Sequence, residues 1–300
     1  MKNKMNGAPG HASHIFSSLS ILLAGGMWGT MGLWVRKFSQ EGLDSLQILS
    51  LRVTLTAFLL LLFLGVYNRT LLKIHWKDLW CFAGTGICSI VFFGYCYNQT
   101  ILLTSLSVAA ILLYTAPIFV MVLSRFLFGE RFTAQKMAAL LLAFAGCICV
   151  TGILSGDHAV STTGILTGLG SGFGYALYSI FGRYALERNY HPFTVTFYTF
   201  LCAMACVLFL ADWKPITDFA VSSPSGLCYS IAYCLVTTVL PYILYTFGLD
   251  HVEAGKASIM ATIEPVIATL LGVFVLQESI SATGILGIIL VLCALVLLNK

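Results

Sequence analysis

The chain has 300 residues, of which 59% are apolar and only 9% charged, against about 45–50% and 25% in soluble domains. So few charges cannot cover a water-soluble protein of this length, and the mean hydropathy of +0.93 leaves room for about ten helical spans of roughly 20 residues each. The net charge of +4 is placed for topology, and no basic patch interleaves with exposed aromatics, so nucleic acid is not expected as a partner.

The first predicted span, 16–35, follows Lys2 and Lys4. It is too long for a signal-peptide core and is read as a retained helix, with Trp28, Thr30 and Trp34 along it and Gly25 and Gly29 at a helix-packing spacing. Span two, 46–67, carries Arg52 near its outer end, either snorkelling to the interface or binding an anionic group of a substrate. Span three, 79–99, contributes Tyr95, Tyr97 and Asn98, and span four, 106–128, contributes Tyr114 and Pro117 and is followed by Glu130. Span five is 135–153. Span six, 164–186, holds Gly168, Gly170, Gly172 and Gly174, then Tyr175 and Tyr178. No strand precedes those glycines, so they are read as helix-packing positions and not as a dinucleotide loop. Spans seven and eight are 193–211 and 226–248, the latter with Tyr242 and Tyr245. Span nine, 256–276, brings Thr262, Glu264 and Pro265 and is followed by Glu278, and span ten is 282–298.

Ten spans put both termini on one side. That side carries Lys2, Lys4, Arg69, Lys73, Lys77, Arg125, Arg131, Lys136, Arg183, Arg188, Lys256 and Lys300, and the other only Arg36, Lys37 and Lys214. Cationic loops stay cytoplasmic, so both termini are expected there. The ten cysteines all fall in apolar segments and are read as small packing residues.

Shifting the chain by 148 residues sets 109–130 on 257–278 with six identities in 22 positions, including Pro117 on Pro265 and Glu130 on Glu278. A weaker match at a shift of 147 sets Trp28 and Arg36 on Tyr175 and Arg183. Five spans per repeat is an odd number, so the second repeat enters the membrane from the opposite side. The expected fold is an all-α polytopic membrane protein with ten transmembrane helices as two inverted five-helix repeats, an architecture of transporters with a midplane substrate site.

Trp28-Gly29-Thr30, Arg52, Tyr114 to Pro117 with Phe128 to Arg131, and Ile263 to Pro265 with Leu276 to Glu278 give each half a resemblance to one EamA domain of the drug/metabolite transporter superfamily. The resemblance covers nearly the whole chain. It implies a cytoplasmic segment 1–14, repeats at 15–153 and 164–300, an external linker 154–163 and a central cavity shared by the halves. It further implies export of metabolites or amino acids across the plasma membrane, by proton exchange or facilitated diffusion. Small four-helix relatives carry a coupling glutamate in their first helix, but residues 16–35 here contain no acid.

The residues expected to line that cavity are Trp28, Thr30, Tyr95, Tyr97, Asn98, Tyr114, Tyr175, Tyr178, Tyr242, Tyr245, Thr262 and Glu264, a mainly uncharged aromatic set suited to an amphipathic or zwitterionic small molecule. Glu264, roughly 12 Å deep at 1.5 Å per residue, either carries a proton or touches substrate, or it bonds a backbone group freed by Pro265. Pro117 and Pro265 are kinks, structural or gating. Glu130 and Glu278 either close gates at opposite faces with basic groups or hold the N-terminus of the next helix. The expected partners are a small-molecule substrate, membrane lipid and, for a coupled mechanism, protons, in a monomer or homodimer. No cofactor or metal site is expected, since the histidines have no ligand spacing. The alternative function is a membrane-embedded enzyme or lipid-handling protein on the same fold, which would need a pair of catalytic groups at one depth.

Overall fold

The computed structural model describes residues 11–151, 161–222 and 224–298. Lys2, Lys4 and Lys300 lie outside the described residues, as do most of the predicted segment 1–14 and linker 154–163. Every regular element within the described residues is helical. We number the main helices α1 (Ile15–Gln40), α2 (Ser45–Tyr67), α3 (Trp76–Leu103), α4 (Leu106–Leu127), α5 (Ala134–Val150), α6 (Thr162–Glu187), α7 (Pro192–Val207), α8 (Ser225–His251), α9 (Ala254–Leu276) and α10 (Ala282–Leu298). Six of them (α1 to α4, α8 and α9) are long and apolar enough to cross a membrane, while α5, α7 and α10 are shorter apolar helices. α6 is 26 residues long, and its hydropathy is diluted by glycine.

Several boundaries differ from the sequence expectation by three to five residues, and two of them have a clear local cause. α1 continues past residue 35 to Gln40, because Trp34 and Phe38 pack at tilted and edge-on angles against Tyr229 and Tyr233 of α8 and so give the extra turn an apolar face to bury. The predicted span 193–211 stops at Val207. A separate helix, Trp213–Ser222, follows, with Pro215 in its first turn, where a missing N–H costs nothing. The Trp213 indole N–H donates to the Leu208 carbonyl at 3.0 Å and ties the corner.

Three long helices are interrupted rather than straight. α1 breaks at Thr30, α4 at Tyr114–Thr115 and α9 at Ala261–Thr262. In α4 and α9 the cause is the proline one turn ahead, which cannot donate back along the helix. The chain restarts at Ala116 and at Ile263, with Pro117 and Pro265 inside the first turn. At all three breaks a threonine hydroxyl donates to the carbonyl three residues earlier: Thr30 to Met27 at 2.8 Å, Thr115 to Leu112 at 2.5 Å and Thr262 to Ile259 at 2.6 Å. α3 and α8 instead absorb an extra residue in π-helical turns, Gly84–Val91 and Leu235–Val239.

Packing crosses between the halves. α1 lies on α8 and α9, α6 lies on α3 and α4, α2 pairs with α7 and α5 with α10. Replacing each helix by the one five places later leaves this set of pairs unchanged. α1 meets α9 at Gly25 and Gly29, where a Cβ would fall 3.0 Å from the Ala261 carbonyl oxygen and 2.7 Å from that of Glu264. In α6, Gly168 and Gly172 abut Leu112 and Thr115 of α4, while Gly170 and Gly174 abut Cys96 and Phe93 of α3. The glycine run is a two-sided packing surface.

Candidate functional site

The centre of the molecule forms where α1 and α6 cross the opposite halves. Trp28 and Tyr175, which occupy matching places 147 residues apart, meet edge-on with ring centroids 6.3 Å apart. Trp28 also packs on Tyr242 at 5.1 Å, and Tyr242 on Tyr178 at 5.0 Å. Two hydroxyl pairs fix these rings, Tyr178 with Thr246 at 2.7 Å and Tyr245 with Ser179 at 2.8 Å. A small internal space opens among these side chains, bounded on the α3 side by Ser89 and Phe93.

A second space lies between the breaks of α4 and α9, lined by Tyr114, Pro117, Ser258, Thr262 and Glu264. Tyr175 borders both spaces, and in the second it adjoins Glu264. Each space admits about one water molecule in this conformation, so the centre is closed down. Glu264 is half-buried in the first turn after the α9 break and, among the described residues, has no basic partner. The Ala261 carbonyl freed by Pro265 accepts from the Glu264 backbone N–H at 3.1 Å. That need is met by the main chain, which leaves the carboxyl facing the space.

Eight of the twelve expected cavity residues line these spaces: Trp28, Tyr114, Tyr175, Tyr178, Tyr242, Tyr245, Thr262 and Glu264. Tyr97 packs on Phe93 at 5.8 Å, within electrostatic reach of Glu264. Three expectations fail. Tyr95 is 62% exposed on the outer surface, because its neighbour Cys96 takes the face of α3 turned to α6. Thr30 spends its hydroxyl on the α1 break, and Asn98 is half-buried and borders neither space. Arg52 does not snorkel, since it is 6% exposed. Sequence reasoning missed Ser89, Phe93, Ser179 and Ser258. The only signal for the serines is a small polar residue inside an otherwise apolar helix.

The end of the molecule that holds the α4 C-terminus is fastened by polar contacts between halves. The Glu130 carboxylate accepts from the Ala254 N–H at 2.7 Å and the Gly255 N–H at 3.1 Å, capping α9 rather than the next helix, α5. Lys136 pairs with Glu253 beside it and donates to the Arg131 carbonyl at 3.2 Å. Asp78 takes Arg188 at 3.0 Å and the Tyr190 hydroxyl at 2.8 Å across the halves, while within the second half Arg183 of α6 reaches the Leu249 carbonyl at 2.9 Å. Burial pushes the Glu130 carboxyl above the usual carboxylate range, against the opposing pull of the two amides and Lys136. Its counterpart Glu278 caps nothing comparable. It sits 3.7 Å from Arg36 with both side chains more than half exposed, a pair worth about 0–1 kcal/mol.

Fold and site together define a helical multi-pass membrane protein with a closed polar-aromatic centre between two halves. Residues 15–152 and 162–300 each match the EamA-like transporter family, and the chain belongs to that family. It is 28% identical over 277 residues to an uncharacterized transporter of Archaeoglobus fulgidus, covering 91% of this chain and 92% of that one. It is also 26% identical over 285 residues to the uncharacterized transporter YwfM of Bacillus subtilis, covering 94% and 93%. A crystal structure of a protein 17% identical superposes with a TM-score of 0.77, covering 94% of this chain and 95% of that one, so the fold is shared.

Proposed function

We propose that the protein is a secondary transporter that moves small amphipathic or amino-acid-like metabolites across the plasma membrane by alternating access, working as an exporter. In this reading ten helices span the membrane as two inverted five-helix repeats with cytoplasmic termini. The exchange-symmetric helix pairing and the meeting of Trp28 with Tyr175 on the axis between halves support it. The observation that carries the functional reading is the pair of closed spaces that share Tyr175, one walled by Trp28 and Tyr242 and the other by Glu264, deep among apolar helices and formed by both halves. A polar carboxyl at that depth is costly unless it serves a proton or a substrate.

The breaks before Pro117 and Pro265 let the outer parts of α4 and α9 swing without bending a continuous helix. The Glu130 latch holds the cytoplasmic end shut, and Glu278 is the corresponding group for the outer end in the opposite state. Glu264 is the contact for a coupled proton or for a polar group of the substrate. The test is counterflow in proteoliposomes with a labelled panel of amino acids and small metabolites, with and without a pH gradient. Saturable uptake that the gradient stimulates and Glu264→Gln abolishes is expected. Uptake indifferent to both would make the protein a facilitator with a structural Glu264, and no uptake from folded protein would overturn the transport reading.

A further inference from the structure

Arg52 lies seven residues into α2 and is almost entirely buried. It belongs to none of the ion pairs among the described residues. Its Nη1 donates only to the thioether sulfur of Met31 at 3.5 Å, and its Nε is buried without a protein acceptor. A thioether is a weak acceptor and a guanidinium does not deprotonate in a protein, so a positive charge stands inside the fold without a counter-charge, an arrangement that is strongly unfavourable unless something supplies one.

The fold itself does not need a cation there. The corresponding place in the second half, seven residues into α7, is Thr199, whose hydroxyl is satisfied by Thr85 at 2.6 Å. Arg52 lines neither central space itself, but its neighbours reach the first: Met31 stands one helical turn beyond Trp28, and Tyr242, edge-on to Trp28, lies within electrostatic reach of the guanidinium. The Trp28 indole N–H is likewise buried without a protein partner, and the Thr56 hydroxyl, one turn along α2 on the same face, has only the weakly bonding Cys234 thiol beside it.

We propose that Arg52 binds the carboxylate of the transported small molecule, with Thr56 and the Trp28 N–H completing its hydrogen bonds and the Tyr242 ring against the organic remainder. The proposal rests on the transporter reading and names its substrate class. A planar guanidinium matches a carboxylate through two parallel hydrogen bonds, and its single charge balances a single negative charge. A phosphate ester, about −1.5 to −2 at neutral pH, would leave net charge buried. The other buried cation among the described residues, Lys136, is already paired with Glu253.

The experiment uses the full-length protein in detergent and follows its thermal unfolding with matched probes: leucine and its methyl ester, phenylalanine and its methyl ester, 4-methylpentanoate and the corresponding alcohol, and inorganic phosphate. At least one carboxylate should raise Tm while its ester or alcohol does not, a comparison that needs no variant. Arg52→Gln should weaken that carboxylate by at least about 30-fold, as loss of one partner of a buried charge pair does, and Arg52→Lys should retain part of the affinity. Equal stabilisation by acid and ester, stabilisation by phosphate alone, no stabilisation by any carboxylate, or Arg52→Gln within threefold of wild type would each overturn the proposal. Counterflow with the same probes separates the two readings. Uptake confined to the probes that lack a carboxylate, the esters and the alcohol, would keep the transporter and reject the Arg52 site, whereas no uptake of any probe would reject the transporter itself.

Discussion

The Glu130 latch gives the most quantitative prediction. Its carboxylate accepts two backbone N–H groups of α9, at 2.7 and 3.1 Å, from the other half of the chain. Hydrogen bonds to a charged group contribute ~1.5–3 kcal/mol each. Glu130 is only half-buried, so water recovers part of that when the latch opens, and the burial cost of the carboxylate offsets more. A net loss of about 2–3 kcal/mol for Glu130→Ala is reasonable, which moves the closed–open balance about 30- to 150-fold. The reporter is Ser89→Cys in a background with the ten native cysteines replaced, since Ser89 is buried in the wall of the central space. In inside-out vesicles a membrane-impermeant maleimide labels that thiol only when the cytoplasmic end opens. Glu130→Ala should raise the labelling rate by at least tenfold. A rate within twofold of the parent, in protein shown to be folded, would refute the assignment of Glu130 as the fastening.

Other expectations follow from the same geometry. Burial holds the Glu130 carboxyl above its usual value of 4.5, with Glu253 and Lys136 beside it, so the latched state binds a proton more readily than an open state in which Glu130 meets water. Latching should therefore strengthen as pH falls from neutral through the raised value towards 4.5. The Ser89→Cys labelling rate, divided by the thiolate fraction at each pH, should drop from pH 7 to pH 5 and Glu130→Gln should flatten that corrected dependence, whereas a corrected rate that rises on acidification would contradict it. Gly29→Ala forces a methyl to within 2.7 Å of the Glu264 carbonyl oxygen and should cost ~1–3 kcal/mol by overpacking, read as a Tm lowered by several degrees. Tyr178→Phe removes a buried hydroxyl pair with Thr246 and should cost ~1 kcal/mol. Tyr175→Phe should alter the pH dependence of transport through Glu264, which it adjoins in the second space.

Much of the fold was legible because a bilayer allows so few solutions. Hydropathy placed the helices to within a few residues, and the alignment of Pro117 with Pro265 anticipated two helix breaks that do occur. What the sequence could not supply was the rotation of each helix about its axis. Tyr95 and Cys96 are neighbours of equal promise, yet one faces outward and the other α6, a difference set by the glycines of α6 and not by α3 itself. Thr30 looked like a cavity hydroxyl because the break it serves has no proline to announce it. Arg52 was ambiguous for a related reason. Depth along α2 was readable, but whether the side chain could reach the interface depended on the tertiary packing around it, which leaves Arg52 almost entirely buried. Glu130 was expected at a helix terminus, and the helix it caps belongs to the other half, a contact that only the tertiary fold creates.

The measurement that bears most directly on alternating access through one central space is the accessibility of Ser89→Cys from both faces of the membrane. It is read in right-side-out and inside-out vesicles, with and without a compound that passes the counterflow screen. The account predicts labelling from each side, with the transported compound shifting the two rates in opposite directions. Labelling from both sides that rises and falls together would describe a continuous pore, and a thiol never labelled from one side would contradict a space that opens to each face in turn.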